Sequence, residues 1–402
     1  MNISFLVLKG LPFPGGIERY MEAVGPRLSA KGHDVRVYSI SYRTSVPSSY
    51  AGMEICTVPA VPSKNLEKPS AALLAALWAA VDRAEIVHVH SFGQSLFGIL
   101  PRLAGKKVVI QGHGIEWRRS KWSGFARAFL RFSEWSSVYV PHAVTVVSRA
   151  QRQYMRERYG MEASFIPPGV APASAAAPEE IKKLGLSGGD YILFAARMEK
   201  EKGLHYLIDA YRALDPKMKL VVAGDNPLDG TYKAAMHTLA AGHPRILFTG
   251  FATGRLLREL FSNCYAFALP SELEGLPLAV LEAMSYGCAC LVSDIPENKE
   301  AIDGHGITFR NGDAHDLARQ LRSLIDSPER VKAIGSAARS HVAAQYSWDQ
   351  TVLGLEDLYQ SLLGRSRQQH RQREPVHAYP LPSPARFADA QLDGHQLKQA
   401  SQ

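Results

Sequence analysis

At 402 residues, with 46% hydrophobic and 9% aromatic content, the chain is too long for one ordinary core and carries enough apolar side chain for two domains. No charge-free apolar run is long enough to cross a bilayer, and four irregularly spaced cysteines (Cys56, Cys264, Cys288, Cys290) make neither a disulfide framework nor a zinc site. The net charge of +8 and pI near 9.2 point to an anionic partner, with nucleotide diphosphate, anionic lipid and nucleic acid all qualifying on charge alone.

Residues 1–5 enter a strand pattern without a basic leader or a cleavage site, so the expected location is the cytoplasm. Short apolar, β-branched runs then alternate with amphipathic helical segments, the pattern of parallel βαβ units. The first half reads as one doubly wound α/β domain over 1–168, with strands at 3–8, 35–40, 54–58, 86–90, 107–110, 144–148 and 164–166. A small-residue stretch over 169–180 reads as a linker and hinge. The pattern restarts in a second doubly wound domain over 181–345, with strands at 191–196, 219–223, 245–248, 266–269 and 290–292. Closing helices are expected at 331–344 and 350–363, and a basic, disordered tail over 365–402. Open parallel sheets bind ligands at the carboxyl ends of their strands, so the chemistry belongs in the loops there.

Strand 3–8 leads through Gly15 and Gly16 into a helix, a turn that lets backbone amides approach a phosphate or a sugar. The spacing is not that of a dinucleotide fingerprint. Strand 191–196 leads into Arg197-Met198-Glu199-Lys200-Glu201-Lys202-Gly203, where Arg197 and Lys202 can hold a diphosphate; the alternative is a solvated loop neutralised by Glu199 and Glu201. Strand 266–269 ends in an acidic loop, and Pro277 opens a helix that Gly287 closes. Glu274 lies in that loop. Glu282 would lie about two turns into an otherwise apolar helix, an expensive place for a carboxylate without hydroxyls or cations to meet it. His88 and His90 alternate with apolar residues near a strand end and read as hydrogen-bonded histidines rather than a metal pair.

Glu274 and Glu282, with seven residues between them in Glu-Gly-Leu-Pro-Leu-x-x-Leu-Glu-Ala-Met, resemble the E-x7-E signature of the retaining family 4 glycosyltransferases, which have the two-domain GT-B architecture. Arg197 with Lys202-Gly203 is similar to that family's diphosphate-binding pair, and Gly15-Gly16 to its N-terminal glycine loop. His113, in Gln111-Gly112-His113-Gly114, falls where the family has an active-site histidine, and the Trp348 helix resembles its C-terminal crossover. The resemblance covers most of residues 1–363. It implies an N-terminal acceptor domain and a C-terminal nucleotide-sugar domain. It also implies site roles: Glu274 and, through their amides, Gly275 and Leu276 on the donor sugar; Glu282 on the ribose; Arg197, Lys202, Gly15 and Gly16 on the diphosphate; and His113 at the reacting carbon. Many members have glycine where this chain has Pro277, which has no amide hydrogen to donate.

The reaction so implied moves a hexosyl or deoxyhexosyl group, with retention, from a nucleotide-diphosphate sugar to an acceptor hydroxyl. The acceptor would be a glycan or lipid-linked glycan of bacterial polysaccharide or lipopolysaccharide assembly. Cations and helix amides would stabilise the leaving diphosphate. No aspartate pair reads as a metal-holding loop, so neither metal nor cofactor is expected, and no nucleic-acid partner. Alternatives are a sugar-nucleotide epimerase or hydrolase on the same fold, or an inactive sugar-nucleotide-binding protein. Alanine at Glu274 or Lys202 is expected to abolish transfer and leave the fold intact. Residues 117–131 hold five basic residues and no acidic one. There Trp122, Phe125, Phe129 and Leu130 form an apolar stripe flanked by Arg118, Arg119 and Lys121, which either docks on an anionic membrane at the inner face of the plasma membrane or covers the sheet as ordinary core.

Overall fold

The computed structural model describes residues 1–365 apart from 12, 14, 44–47, 64–65 and 227–229; residues 366–402 of the expected tail lie outside the described residues. The chain divides into two compact units, one joining Met1–Gly169 to the segment that begins at Trp348, the other spanning Val170–Ser347.

The first unit contains β1 (Asn2–Leu8), α1 (Gly16–Ala30), β2 (Asp34–Ile40), β3 (Ser49–Tyr50), β4 (Met53–Val58), α2 (Glu67–Val81) and β5 (Ile86–His90). It continues through α3 (Ile99–Leu103), β6 (Lys107–Gly112), α4 (Gly124–Ser136), β7 (Ala143–Val146), α5 (Arg149–Tyr159) and β8 (Ser164–Phe165). Its eight strands run in the order β3-β4-β2-β1-β5-β6-β7-β8, parallel except for the two-residue β3. The chain moves outward from β1 and then returns to place β5 on its other side, with Ile3 paired to both Val35 and Ile86. That reversal makes β1/β5 the topological switch point, where open sheets of this kind bind ligands.

Successive strand residues face opposite sides of the sheet. Ile86 of β5 therefore joins the core under α1, while Val87 and Val89 join the core under α2 and α5. His88 and His90 follow the parity of Ile86, which turns two histidines into an otherwise hydrophobic layer.

The second unit contains β9 (Tyr191–Ala195), α6 (Leu204–Leu214), β10 (Lys219–Ala223), α7 (Gly230–Ala240), β11 (Ile246–Gly250), α8 (Gly254–Asn263) and β12 (Ala266–Leu269). It ends with α9 (Leu278–Ser285), β13 (Ala289–Ser293), α10 (Pro296–Ile302), β14 (Ile307–Phe309), α11 (Ala314–Ile325) and α12 (Pro328–Gln345). The sheet is fully parallel in the order β11-β10-β9-β12-β13-β14, with its switch point between β9 and β12. Strands β9, β12 and β13 are buried along their whole length, hence their unbroken apolar sequences. The last helix, α13 (Trp348–Leu362), belongs to the first unit. Trp348 meets Tyr20 with ring centroids 5.6 Å apart, Thr351 donates to the Pro167 carbonyl at 2.7 Å, and Glu356 lies 2.7 Å from His33 and 2.8 Å from Lys31.

Several expectations need correction. Strands β3 and β14, two and three residues long, were not anticipated. Strand β7 stops at Val146 because Ser148 caps α5, its hydroxyl accepting from the Gln151 amide at 3.2 Å. The stretch 169–180 is less free than a linker. Ala176 is held by Ser262 and Asn263 of α8, and the Glu259 carboxylate accepts from the amides of Glu179, Glu180 and Ile181.

Candidate active site

In the second unit the loops after β9 and β12, one on each side of the switch point, are seated against each other by Gly203. Its φ is +71°, and a Cβ there would approach the Pro270 carbonyl oxygen to 1.9 Å, so only glycine permits the contact. The Glu272 amide then donates to the Glu201 carbonyl at 2.8 Å. The Lys202 ammonium lies 2.7 and 2.8 Å from the two carboxylate oxygens of Glu274. Arg197 pairs with Glu199 at 3.1 Å. Glu272 accepts from the Tyr206 hydroxyl at 2.6 Å, which draws it away from any ligand.

The neutralisation foreseen from Glu199 and Glu201 is thus half realised, because Lys202 takes Glu274 instead. That pair gives Lys202 and Glu274 a partner within the protein, so alanine at either is expected to affect stability as well as transfer. Glu274 is buried, its side chain 6% exposed, and that of Lys202 is 19% exposed, so each is the main compensation for the other's charge.

Helix α9 begins one residue later than expected, with Pro277 as its cap rather than its first turn. The amides of Gly275 and Leu276, just before it, have no acceptor among the described residues. Glu282 is the fifth residue of α9, a little over one turn in, and is half-buried rather than core-facing. Behind the loop, Asn298 of α10 donates to Ser271 at 3.2 Å and to Ser293 at 2.8 Å, and the Ser293 hydroxyl donates to the Ser271 carbonyl. This buried polar brace fixes the start of the acidic loop. Its members are ordinary residue types 22 or more positions from Ser271, and nothing in their local sequence marks it.

In the first unit, Gly15 is extended and the Glu18 carboxylate lies against it, where a Cβ would stand 1.9 Å from Glu18 Oε2. Glu18 also accepts from the Lys9 amide at 3.1 Å. A carboxylate in the mouth of the glycine loop repels a phosphate there, which leaves Gly16, exposed and with open space around it, as the member of the pair free to meet a ligand. Glu18 was not recognised as a site residue.

His88, His90 and His113 form a row. His88 and His90 stack at 4.9 Å, His90 Nδ1 lies 2.9 Å from His113 Nε2, and His88 Nδ1 lies 2.5 Å from the Tyr359 hydroxyl. Phe5 stacks on both strand histidines, and the Tyr20 ring meets His90 and His113 edge-on. Burial pushes the His88 pKa down to about 3 and that of His90 well below its ordinary value. His113 is pushed down to about 4, by burial first, with Glu116 opposing and Lys68 reinforcing. All three are therefore neutral imidazoles near pH 7.

Beside them Ser91 has φ +98°, strained for a residue with a side chain. Its hydroxyl and the Gly93 amide donate to Glu116 at 2.6 and 2.8 Å. Burial raises the Glu116 pKa, but Lys68 and these hydrogen bonds outweigh it and hold the carboxylate below its usual range. Among the described residues no group of three or more His, Cys, Asp or Glu is arranged to hold a metal ion.

The stripe expected over 117–131 is rotated. Leu130 is buried and Trp122 and Phe129 are half-buried, whereas Phe125 is 87% exposed and is followed on the outer face of α4 by Phe132 and Trp135. The inner face is polar. Glu134 accepts from Trp117, Tyr154 and Tyr159, and Ser136 bonds Ser95. Outside, Phe132, Trp135 and Tyr139 form a ladder with centroids 5.6 and 4.9 Å apart, and Arg118 and Arg131 lie over Trp117. No helix among the described residues is long and apolar enough to cross a membrane.

Comparison with known proteins gives two family matches, "Glycosyltransferase Family 4" over residues 14–174 and "Glycosyl transferases group 1" over residues 177–341. A GDP-mannose-dependent alpha-(1-6)-phosphatidylinositol monomannoside mannosyltransferase of Mycobacterium tuberculosis is 25% identical over 86% of this chain and 94% of its own length. The sulfoquinovosyl transferase SQD2 of Arabidopsis thaliana is 32% identical, but over only 41% of this chain and 33% of its own. The crystal structure of Anabaena HepE with UDP and glucose superposes with a TM-score of 0.76 over 90% of this chain and all of that one; at 17% identity this likeness speaks to fold alone.

Proposed function

This chain belongs to glycosyltransferase family 4, with the GT-B fold, and transfers a sugar from a nucleotide-sugar donor; on that premise we propose that it is a retaining hexosyl- or deoxyhexosyltransferase whose second unit binds the donor. The observation that supports this reading is the loop pair flanking the β9/β12 switch point, which seats Lys202 of one loop on Glu274 of the other. Arg197 and Lys202 take the diphosphate, Glu274 and the two amides the donor sugar, and Glu282 the ribose. As the glycosidic bond breaks, negative charge grows on the leaving diphosphate. Lys202, already oriented by Glu274, meets that charge without reorganising, which is electrostatic catalysis that asks for no metal ion. Retention follows from front-side attack of the acceptor hydroxyl, assisted by the departing phosphate. His113 of the first unit contacts the sugar as a neutral imidazole, a hydrogen-bonding partner rather than a cation.

The acceptor in this reading is a glycan, or a lipid-linked glycan of bacterial polysaccharide or lipopolysaccharide assembly. The lipid in the name of the mycobacterial relative supports that class. Calorimetric titration of nucleotide-diphosphate sugars, with a chelator of divalent ions present throughout, tests the donor site. Wild type is expected to bind, and Glu282→Ala to bind about tenfold or more weakly, the loss that follows from removing a charged acceptor from ribose hydroxyls. Wild-type affinity in that variant, or binding that needs magnesium or manganese, would remove the ribose role or the metal-free reading respectively.

The first unit is proposed to dock peripherally on the inner face of the plasma membrane through α4. The outer ladder of Phe132, Trp135 and Tyr139 would lie at headgroup level and the cluster of Arg118, Arg119 and Lys121 on anionic lipid. Flotation with anionic vesicles should recover wild type and lose most of the protein when those three cations are changed to Glu, or when Phe132 and Trp135 are changed to Ser. Equal flotation of all three proteins, or of none, excludes docking through this face and leaves the transferase reading untouched.

A further inference from the structure

Helix α2 is built inside out. Its sheet-facing side is Ala71, Ala72, Ala75, Ala76 and Ala79, all buried; of its large side chains only Leu74 is partly buried against the core, while Leu73, Leu77, Trp78 and Val81 are exposed, Val81 to 86%. The neighbouring α3 adds Ile99 and Leu103, the latter 79% exposed. A helix apolar on all sides is ordinarily buried on all sides. A monomer has no use for such a face.

The chemistry of the face selects its partner. From residue 69 to 81 α2 carries no ionisable side chain. The one cation of α3, Arg102, is turned onto the carbonyls of Tyr139, Val140 and Pro141 at 2.8, 2.5 and 3.0 Å. An anionic membrane would find no outward cation on these two helix faces, in contrast to the cation-rich α4; the nearest exposed cation, Arg83 beyond the end of α2, faces Glu54 at 3.6 Å. The six exposed side chains leave roughly 600 Å² of apolar surface, about the share each partner contributes to the smallest stable interfaces and the upper end of what a monomer's largest patch reaches. A charge-free stripe on a straight helix is also self-complementary under a twofold axis, with the two helix dipoles opposed.

We propose that this face is the interface of a homodimer, in which α2 of one copy packs antiparallel on α2 of a second copy, with α3 at the edges. The inference is independent of the donor site and of the α4 membrane proposal. Sedimentation equilibrium of the full chain at micromolar concentration should give twice the 44.1 kDa chain mass. Leu77→Arg, at the middle of the stripe, should weaken self-association by at least about a hundredfold, and the milder Leu77→Gln by about tenfold. Both should keep the wild-type circular dichroism spectrum and nucleotide-sugar affinity. If Leu77→Arg does not fold, Leu77→Gln carries the test alone. A monomeric wild type overturns the proposal, as does a dimer that neither substitution weakens. Flotation of wild type with uncharged phosphatidylcholine vesicles that is lost in Leu77→Gln would assign the face to lipid and overturn it equally.

Discussion

Lys202→Ala is expected to cost about 3 kcal/mol of stability and to reduce sugar transfer by two orders of magnitude or more. Removing the ammonium leaves the Glu274 carboxylate buried with no counter-charge, and stranding one member of a buried pair is the costly half of the cycle. Glu274→Ala should cost less, about 1–2 kcal/mol, because Lys202 is more exposed and its flexible stem can carry the ammonium to water. The double variant should be no less stable than Lys202→Ala alone, since it strands no charge. Transfer should fall in all three. Lys202→Ala loses a charge at the diphosphate, Glu274→Ala loses both a sugar contact and the orientation of Lys202, and the double variant loses everything at once. Urea unfolding of the four proteins closes the cycle. Single variants that unfold with wild type would mean that the pair does not hold the two loops together.

Acidification is expected to destabilise the first unit above the pH range in which ordinary carboxylates titrate. An unfolded histidine titrates near pH 6.5, whereas His88 in the fold titrates near 3 and His90 far below its ordinary value. Between those limits the unfolded chain binds more protons than the folded one, so stability rises with pH across the window and is lost as pH falls from about 6.5 toward 3. At pH 5 His88 contributes about 2 kcal/mol of that loss, and His90 adds to it in the same direction. Tyr20, Tyr359 and Phe5 pack around the row; the Glu116 carboxylate raises His113, where burial and Lys68 outweigh it. One group works the other way. Burial raises Glu22 to about 7, so it takes up a proton in the fold as the pH drops, offsetting part of the loss. Because of that offset, the histidine share is read from a variant. His88→Asn keeps a hydrogen-bonding partner for Tyr359 and should lower the proton uptake on unfolding between pH 5 and 6 by about one. An unchanged slope would mean that His88 is charged in the fold, against its complete burial.

Strand positions were legible because buried parallel strands are unbroken apolar runs, and β5, β9, β10 and β12 fall within a residue of where the sequence puts them. Strands β3 and β14 are too short to establish any period. Among the site residues, Arg197, Lys202 and Glu274 could be picked out because strand-end loops announce themselves. That Lys202 spends its charge on Glu274, 72 positions away, could not. Glu18 lies only three residues from Gly15, but that its side chain folds back into the glycine loop is a matter of rotamer, which spacing does not give. The α4 stripe was misplaced by a different rule. Periodicity assumes that the apolar face goes inward, yet α4 buries Glu134 under the Tyr154 and Tyr159 hydroxyls and Ser133 and Ser136 against Ser95, and turns its aromatic side chains out, and α2 turns large apolar side chains out with alanines inside. When the inward face is chosen by hydrogen bonds or by close approach to the sheet, hydrophobic patterning gives the helix but not its rotation.

The most direct measurement is a donor screen on the purified chain, reading released nucleotide from a panel of nucleotide-diphosphate sugars in the presence of a chelator, with and without glycan acceptors. Nucleotide release that requires one donor, rises on adding an acceptor, and disappears in Lys202→Ala is the result expected of a metal-independent glycosyltransferase working through the β9/β12 loops. Release unchanged in Lys202→Ala, or release that no acceptor increases while the sugar is only hydrolysed or epimerised, would contradict it.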